Sequence, residues 1–124
     1  TYSTDSVDYP DFAVKVARSV ASGDADRGIM IDGAGIGSSM VCNKVPGIRA
    51  ALAYDQKTIV NSREHNNANV LTLGGPLHSP DELCELAVLW LRTRFAGGRH
   101  WRRINKMMAV ERTKGTTGPA GTQQ

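Results

Sequence analysis

Apolar positions along the chain alternate between short unbroken runs and longer stretches with helical spacing. Unbroken runs predict strands that are covered on both faces, and apolar residues three or four positions apart predict helices with one buried face. The predicted strands are residues 27–32, 48–54 and 70–73. The predicted helices are residues 8–21, 36–44 and 55–64, a segment from Ser79 to the glycines at 97 and 98, and residues 99–112. Strands that alternate with helices indicate an α/β fold with a parallel sheet.

Start signals support these helices. Ser79 followed by Glu82 is a capping box, in which each side chain bonds the backbone N–H of the other residue, and Pro80 suits the first turn. Asp8 can cap the first helix, whose apolar residues recur at helical spacing. In the last helix, the same spacing predicts three apolar side chains that point inward, Trp101, Ile104 and Met108.

Three alternating glycines follow the first strand. They are Gly33, Gly35 and Gly37, and they lie between Asp32 and Ser38. Glycines leave backbone N–H groups uncovered, and the positive end of the following helix dipole points the same way. The segment therefore predicts an anion-binding loop between a strand and a helix, with a phosphate, carboxylate or enediolate as the anion. On glycine spacing alone, a tight turn that binds nothing stays open.

A parallel sheet of this kind places its ligand at the carboxyl ends of the strands. The places that meet this condition are Asp32 with its loop, Tyr54 with Asp55, and Gly74 with Gly75. His65 and Asn66 end the third helix instead, so they need a different route into such a site.

The composition is that of an ordinary globular chain. At 124 residues, with 40% apolar and 22% charged residues, it is one domain with a modest core. The longest strongly apolar patch, residues 86–91, is too short to span a bilayer, and no signal-type N-terminus is visible, so we expect a cytoplasmic protein without membrane contacts. The two cysteines, Cys42 and Cys84, lie in predicted helices and are expected to be reduced core thiols, with neither a disulfide nor a metal site.

The formal net charge of +3 is unevenly distributed. Basic residues crowd a stretch whose only acid is Glu111: Arg92, Arg94, Arg99, Arg102, Arg103, Lys106, Arg112 and Lys114. Such a stretch favours an anionic partner, and a phosphorylated small molecule fits. Nucleic acid is disfavoured because only Phe95 and Trp101 could stack on bases and no binding motif is recognised. A solvated basic helix face is the remaining alternative.

Four segments carry a resemblance to known proteins: DYPDFA, DGAGIGSSMVCNKVPGIRAALAYD, SREHNNANVLTLGG and FAGGRHWRRI. In this order and spacing they resemble the ribose-5-phosphate isomerase type B family, which also includes galactose-6-phosphate isomerase subunits. The resemblance covers roughly Tyr2 to Arg112. It implies a Rossmann-like, three-layer αβα fold around a five-stranded parallel sheet, usually in a homodimer whose subunits share the active site.

The resemblance also implies aldose–ketose isomerisation of a phosphorylated sugar, of the ribose 5-phosphate to ribulose 5-phosphate type, through an enediolate and without metal or organic cofactor. His65 matches the histidine that opens the sugar ring and normally reaches the site from the neighbouring subunit, with Asn66 beside it. Arg99 and Arg103, one helical turn apart, match the arginines that hold the substrate phosphate. The loop 33–38 matches the amides that stabilise the enediolate.

Three positions depart from the family pattern. Many members place the proton-abstracting thiol where this chain has Asp32, and a hydroxyl residue that assists ring opening where it has Ala34. Another branch uses a glutamate at the position of Ser38. Asp32 can substitute as the base because carboxylates serve as bases in enediol chemistry. A different sugar phosphate, or a catalytically silent relative, therefore stays open.

Family members begin with a strand, a helix and a second strand that carries an Asp-His pair, and no segment of this chain matches these. We therefore expect the fold to lack the first two strands of the family. In the doubly wound order 2-1-3-4-5, the absent first strand would lie beside residues 29–31. We expect another segment, a separate chain or a swapped partner to cover that edge, because a bare apolar edge promotes aggregation. Residues 1–112 are then an incomplete domain, and residues 113–124 a flexible tail or linker.

Two further functions stay open on the sequence. A non-catalytic relative that binds a sugar phosphate or serves as a scaffold would carry the same motifs, and an isomerisation assay separates it from an enzyme. A dinucleotide-binding domain is indicated by GAGIGS with Asp55 about twenty residues downstream. Against it, Ser38 replaces the last glycine of that motif and the following helix is short. Cofactor titration separates this alternative.

Overall fold

The computed structural model describes residues 8–121, with side chains described for residues 8–112. Three parallel strands form one sheet: β1 (Gly28–Asp32), β2 (Ala50–Leu52) and β3 (Val70–Gly74). The helices are α1 (Tyr9–Ala21), α2 (Ile36–Cys42), α3 (Gln56–Glu64), α4 (Pro80–Arg92) and α5 (His100–Gly121), with a short 3-10 helix at Gly75–Leu77. The predicted Rossmann-like α/β fold with a parallel sheet is confirmed.

The strand order β1-β3-β2 places the last strand in the centre of the sheet. In the doubly wound order that we expected, the three strands would follow one another in sequence order, so the prediction is wrong for the neighbours of β1 and β2. Every residue of β3 is buried, whereas β1 and β2 are mostly half-buried. The apolar run VLTL suits the central position, because a central strand has a neighbour on each side and helices over both faces.

Two apolar clusters lie on the two faces of the sheet. On one face, α1 and α2 pack against β3 through Ala13, Ala17, Cys42 and Val70. On the other face, α3 and α4 do so through Ile59, Leu86, Trp90, Leu71 and Leu73. Successive residues of β3 alternate between these clusters, as the period of a strand requires. Helices on both faces give the three predicted layers.

Of the two caps that the sequence predicts, the one at Ser79 is formed, whereas Asp8 occupies the N-cap of α1 without a capping hydrogen bond from its side chain. Asp55 caps α3, since its carboxylate accepts from the Thr58 N–H at 2.8 Å and the Thr58 hydroxyl accepts from the Asp55 N–H at 3.2 Å. Ser79 and Glu82 form the predicted capping box of α4, with hydrogen bonds of 3.2 and 2.8 Å. Both helices therefore begin where the sequence predicts.

Helix α4 ends earlier than predicted. It stops at Arg92 and not at the glycines 97 and 98, and the following Thr93 has extended backbone. The N–H and the hydroxyl of Thr93 both donate to the Leu89 carbonyl, at 3.0 and 2.7 Å. A threonine that satisfies a terminal carbonyl with its side chain competes with continuation of the helix.

Helix α5 differs from the prediction in its inner face and its length. Ile104 is buried as predicted, but Trp101 is 48% exposed, with its ring edge-on to Phe95 at 4.9 Å between centroids. The helical backbone continues to Gly121, past the predicted end at Arg112 and into the predicted tail. The domain boundary at residue 112 stays a prediction, and residues 122–124 lie outside the described residues.

The outer edge of β1 pairs with no strand in the described part of the chain. Ile31 is 51% exposed, so the prediction that both faces of this strand are covered holds only in part. An added strand would cover both the exposed backbone N–H and C=O groups of this edge and the exposed isoleucine beside them. That another segment or chain covers this edge stays a prediction.

Candidate active site

A hydrogen bond from the backbone to a side chain holds the loop after β1. Asp32 ends the strand, and its Oδ1 accepts from the Gly35 N–H at 2.6 Å. Gly35 is the N-cap of α2 and has a φ of 76°, in the left-handed region that favours glycine. The bond orients the Asp32 carboxylate at the carboxyl end of the strand. Its second oxygen, Oδ2, accepts no hydrogen bond from the described residues.

Close packing leaves no space for a side chain at the centre of this loop. A Cβ on Gly35 would lie 2.7 Å from Leu52 Cδ1 and 3.0 Å from the carbonyl carbon of Leu73. A Cβ on Gly74 would lie 3.1 Å from the backbone of Ala34. The loop therefore rests directly on the carboxyl ends of β2 and β3, which fixes its position relative to the sheet.

Two hydroxyls donate to the Gly35 carbonyl. Thr72 is fully buried in β3 and donates at 2.8 Å, and Ser38 donates at 3.4 Å. Ser38 is also fully buried and its hydroxyl is bonded within the protein, so its role in binding a ligand stays a prediction. Thr72 was not among the predicted residues. The lone hydroxyl in the apolar run VLTL is the signal that could have identified it.

Several amides of the loop have no partner in the described part of the chain. Among the described residues, no acceptor is bonded to the N–H groups of Ala34, Ile36, Gly37 and Ser38. Gly33 is exposed, whereas Gly37 is half-buried beneath Tyr9, whose Cε1 lies 2.7 Å from the place of a Cβ. Free amides at a helix start, beside a carboxylate, can stabilise an oxygen that becomes negatively charged during a reaction.

His65 and Asn66 lie at the other edge of the sheet. Helix α3 begins after the carboxyl end of β2 and returns to precede β3, so its last residues face the amino ends of the strands. His65 is the C-cap of α3, and its Nδ1 lies 2.9 Å from Asn61 Nδ2. The Asn66 amide donates to Asn61 Oδ1 at 3.0 Å. Asn61 was not predicted. Residues four apart on a helix contact each other, and Asn61 lies four residues before His65, so the spacing was a signal that could have identified it.

The ring of His65 also stacks on His100, the first residue of α5. The ring centroids are 4.4 Å apart and the planes differ by 16°. His100 is only 7% exposed, and burial lowers the pKa of its imidazole, as do the charges of His65, Arg99 and Arg103; Glu64 acts in the opposite direction. His100 was not predicted either, although it directly follows Arg99.

The predicted phosphate-binding arginines, Arg99 and Arg103, are both exposed at the start of α5. No carboxylate of the described residues lies within 4.0 Å of either guanidinium, since the one ion pair found among them joins His78 and Glu82 at 3.9 Å. Two guanidiniums one turn apart can hold a phosphate together, and unpaired ones keep their full charge for it. The histidine stack places both beside His65.

The structure divides the predicted site residues into two groups. The carboxyl-edge group is Asp32, Gly33, Gly35, Gly37 and Ser38. The amino-edge group is His65, Asn66, Arg99 and Arg103. The 9 residues of α3 that connect the two edges span about 14 Å, which is longer than a pentose phosphate. Within one copy of the chain, the two groups are therefore separated by about the length of α3.

Two concavities flank Asn61. A groove of about 790 Å³ runs along β2 between α3 and α5, and Asn61, Asn66 and Arg49 are among its lining residues. A second concavity of about 570 Å³ lies between α3 and α4 and includes Asn61 and His65. Both volumes are in the range of small-molecule sites.

The remaining candidate groups contribute no site. Cys42 is buried, as predicted, and its thiol donates to the Ala13 carbonyl at 3.4 Å; burial, and then the charge of Asp32, raises its pKa. Cys84 is exposed, so its expected core position is wrong. The described residues hold no group of three His, Cys, Asp or Glu that could bind a metal ion. None of their helices has the length and apolar character that crossing a bilayer requires.

A parallel α/β sheet with a free-amide loop and a carboxylate after one strand, and with unpaired arginines beside a histidine, defines a Rossmann-like protein for a small phosphorylated ligand. Comparison with known proteins makes the assignment specific. The model of the Ribose/Galactose Isomerase family matches residues 1–107.

Several relatives agree with that match. The chain is 51% identical over 106 residues to the putative sugar phosphate isomerase YwlF of Bacillus subtilis (strain 168), covering 86% of this chain and 71% of the relative. It is 37% identical to the ribose-5-phosphate isomerase B of Escherichia coli (strain K12), covering 92% and 76%. The structure of Clostridium thermocellum ribose-5-phosphate isomerase B superposes with a TM-score of 0.88 at 46% identity, covering 92% of this chain and 77% of that one.

The chain therefore belongs to the Ribose/Galactose Isomerase family. The resemblance to the ribose-5-phosphate isomerase type B family is confirmed, and with it the assignment to sugar-phosphate isomerases.

Proposed function

We propose that this chain interconverts an aldose phosphate and a ketose phosphate, of the ribose 5-phosphate and ribulose 5-phosphate type, through an enediolate. The observation that carries the proposal is the Asp32 carboxylate at the end of β1, with its Oδ2 free beside the open amides of the loop. The substrate class is supported by relatives named ribose-5-phosphate isomerase B and by a structure of the Mycoplasma genitalium enzyme with bound ribulose-5-phosphate, 42% identical with a TM-score of 0.84.

In the proposed isomerisation step, Asp32 is the base. Its carboxylate takes the proton from C2 of the open-chain aldose, the electron pair of the C–H bond forms the C1=C2 double bond, and the C1 carbonyl oxygen becomes the enediolate oxygen. The loop amides of residues 33–38 stabilise this negative charge. The carboxyl then returns the proton to C1, and the C2 hydroxyl proton moves to O1 through water, which leaves the ketone at C2.

Ring opening precedes this step for an aldose phosphate. The bond between C1 and the ring oxygen breaks, the ring oxygen takes a proton from His65, and the proton that the anomeric hydroxyl loses returns to His65 through water. Arg99 and Arg103 hold the phosphate, and Asn66 lies beside His65. None of these steps requires a metal or an organic cofactor. A cytoplasmic location, expected from the sequence, is part of the same proposal.

Two copies of the chain share each site in this proposal. The carboxyl-edge group of one copy works with the amino-edge group of its partner, because α3 separates the two groups within a chain by about 14 Å. A symmetric homodimer meets this requirement with two equivalent sites.

Asp32→Asn tests the proposed base. The asparagine keeps an oxygen that can accept from the Gly35 N–H, so the fold and the phosphate affinity are expected to persist while kcat falls ~10²-fold or more. Asp24→Asn is the matched control, because Asp24 is exposed and lies outside both groups. Full turnover in a folded Asp32→Asn protein would rule out the base, and a wild-type chain without turnover on any pentose or hexose phosphate would favour a non-catalytic relative.

A further inference from the structure

The His65 ring is connected to a backbone carbonyl by a short chain of hydrogen bonds. The Asn66 amide group, Nδ2, lies 3.4 Å from the carbonyl oxygen of Asn61 and 3.0 Å from Asn61 Oδ1. The Asn61 amide group, Nδ2, lies 2.9 Å from His65 Nδ1. No hydrogen bond to His65 Nε2 is made by the described residues.

The directions of these bonds follow from what each group can donate. A backbone carbonyl only accepts, so Asn66 must present its NH₂ group to it. The same NH₂ group then meets the oxygen of Asn61, which leaves the NH₂ group of Asn61 for His65. An NH₂ group only donates, so His65 Nδ1 must accept with its lone pair. The proton of the neutral imidazole is therefore on Nε2.

The stack on His100 supports this arrangement from the side. His100 is 7% exposed and lies parallel to the His65 ring at 4.4 Å, so it restricts the plane of that ring while the Asn61 bond restricts its rotation. Asn61 itself is exposed and lines both concavities, of which the smaller also includes His65, so nothing in its own burial requires an asparagine there.

We infer that Asn61 is a positioning residue: held by Asn66, it fixes His65 as the Nε2–H tautomer and aims that proton at the ring oxygen of a bound sugar phosphate. This inference rests on the proposed function. It assigns the proton that ring opening consumes to a named atom, and it gives Asn66 a role in the orientation of the acid besides any contact with the sugar. A histidine with the proton on Nδ1 would present a lone pair to the ring oxygen and could not protonate it.

The test is the tautomer of His65 in Asn61→Asp. A carboxylate only accepts, so it is expected to draw the proton to Nδ1 and reverse the tautomer. We would record ¹⁵N chemical shifts of the imidazole nitrogens at pH 8, where histidines are neutral, in the full chain labelled on histidine. The wild type is expected to show the proton of His65 on Nε2, and Asn61→Asp is expected to show it on Nδ1.

Activity supplies a second readout. In other enzymes, the wrong histidine tautomer costs up to about 10⁴-fold in turnover. We expect at least ~10-fold lower kcat from the cyclic aldose phosphate in Asn61→Asp, and a smaller loss with ribulose 5-phosphate, which carries no ring because its 5-hydroxyl is phosphorylated. Asn105→Asp is the control, since it adds the same charge at an exposed position of α5; it should leave the tautomer unchanged and alter kcat less than about twofold.

The outcomes separate this inference from the proposed function. A wild-type His65 with its proton on Nδ1, or an unchanged tautomer and unchanged forward turnover in a folded Asn61→Asp protein, would overturn the inference. Asn61→Ala removes the donor without adding an acceptor, so it should lower forward turnover without moving the proton to Nδ1; full activity in this variant would also count against the role. If the wild type has no isomerase activity, the proposed function fails, but the tautomer and its reversal remain measurable.

Discussion

The two edges of the sheet carry their candidate site residues in different ways. At the carboxyl edge the candidate groups are backbone N–H groups and one carboxylate, held in place by glycine packing and by the buried Thr72 hydroxyl. At the amino edge they are histidine and arginine side chains at the ends of α3 and α5. The first edge depends on backbone geometry that leaves no space for a Cβ at Gly35 or Gly74, and the second depends on charge and protonation.

We therefore expect the two edges to respond differently to substitutions and to pH. A small steric change should damage the carboxyl edge and leave the amino edge intact. A change in charge or in pH should do the reverse. Under the proposed function, neither edge is an active site alone, so the relation between copies is the most informative measurement.

The largest effect is expected from mixing two inactive variants. Asp32→Asn damages the carboxyl edge and His65→Gln the amino edge, and each protein alone should retain about 1% of kcat or less. If the sites are shared, random pairing of equal amounts makes half of the dimers mixed, each with one intact site, and restores about a quarter of wild-type activity. Isomerase assays after joint refolding measure this. A mixture no more active than its parts would place both groups of each site in a single chain.

Gly35→Ala should destabilise the carboxyl edge strongly. The alanine would need a φ of 76° and would place its Cβ 2.7 Å from Leu52 Cδ1, so we expect the free energy of unfolding to fall by about 2–4 kcal/mol. Urea denaturation measures it. Gly33→Ala is the matched control because no atom lies within 4 Å of its Cβ position, and equal losses in the two variants would contradict the packing argument.

Arg103→Ala should weaken substrate binding with little effect on stability. The guanidinium is exposed and makes no ion pair with the described residues, so its removal costs the fold little but removes one of two positive charges from the phosphate. We expect KM to rise about 10-fold or more, since a hydrogen bond to a charged group is worth about 1.5–3 kcal/mol. Steady-state kinetics measure this, with Arg102→Ala as the control on the same helix. An unchanged KM would remove Arg103 from the phosphate site.

The smallest effect is a pH dependence of stability from His100. Its pKa is lowered in the folded protein from the ordinary value of 6.5, so the unfolded chain binds the proton more readily. The stabilisation is therefore complete above about pH 6.5 and is lost as the pH falls below it. Comparison of the free energy of unfolding at pH 7.5 and 5.5 should show a smaller decrease in His100→Phe, which keeps a ring for the stack, than in the wild type. Identical decreases would show that His100 does not contribute.

A separate contribution to the amino edge comes from Arg63, which the sequence did not single out. It is 4% exposed and donates to the carbonyls of Ala68 at 2.6 Å and Thr93 at 3.1 Å. Burial, together with the charges of Arg27 and Arg49, lowers its pKa to about 10, so it still carries its charge near neutral pH. The charged side chain satisfies buried carbonyls where α3, β3 and the end of α4 meet, and it thereby supports the helix that presents His65.

Local signals in the sequence determined the elements and much of the carboxyl edge. The capping box at Ser79, the unbroken apolar runs and the alternating glycines act over a few residues, so they predicted the start of α4, the position of β1 and the loop after it. The family resemblance predicted roles for His65 and the arginines for the same reason, since each lies in a short recognisable segment.

Contacts between distant segments were decided only by the tertiary structure. The central place of β3, the exposure of Trp101, the Thr72 bond to Gly35 and the stack of His65 on His100 each join residues far apart in the chain. Periodicity states which side of an element is apolar, but it does not state which neighbour that side meets. Periodicity also could not show that the site residues form two separate groups. The parallel sheet decides this, because it places the start and the end of α3 at opposite edges.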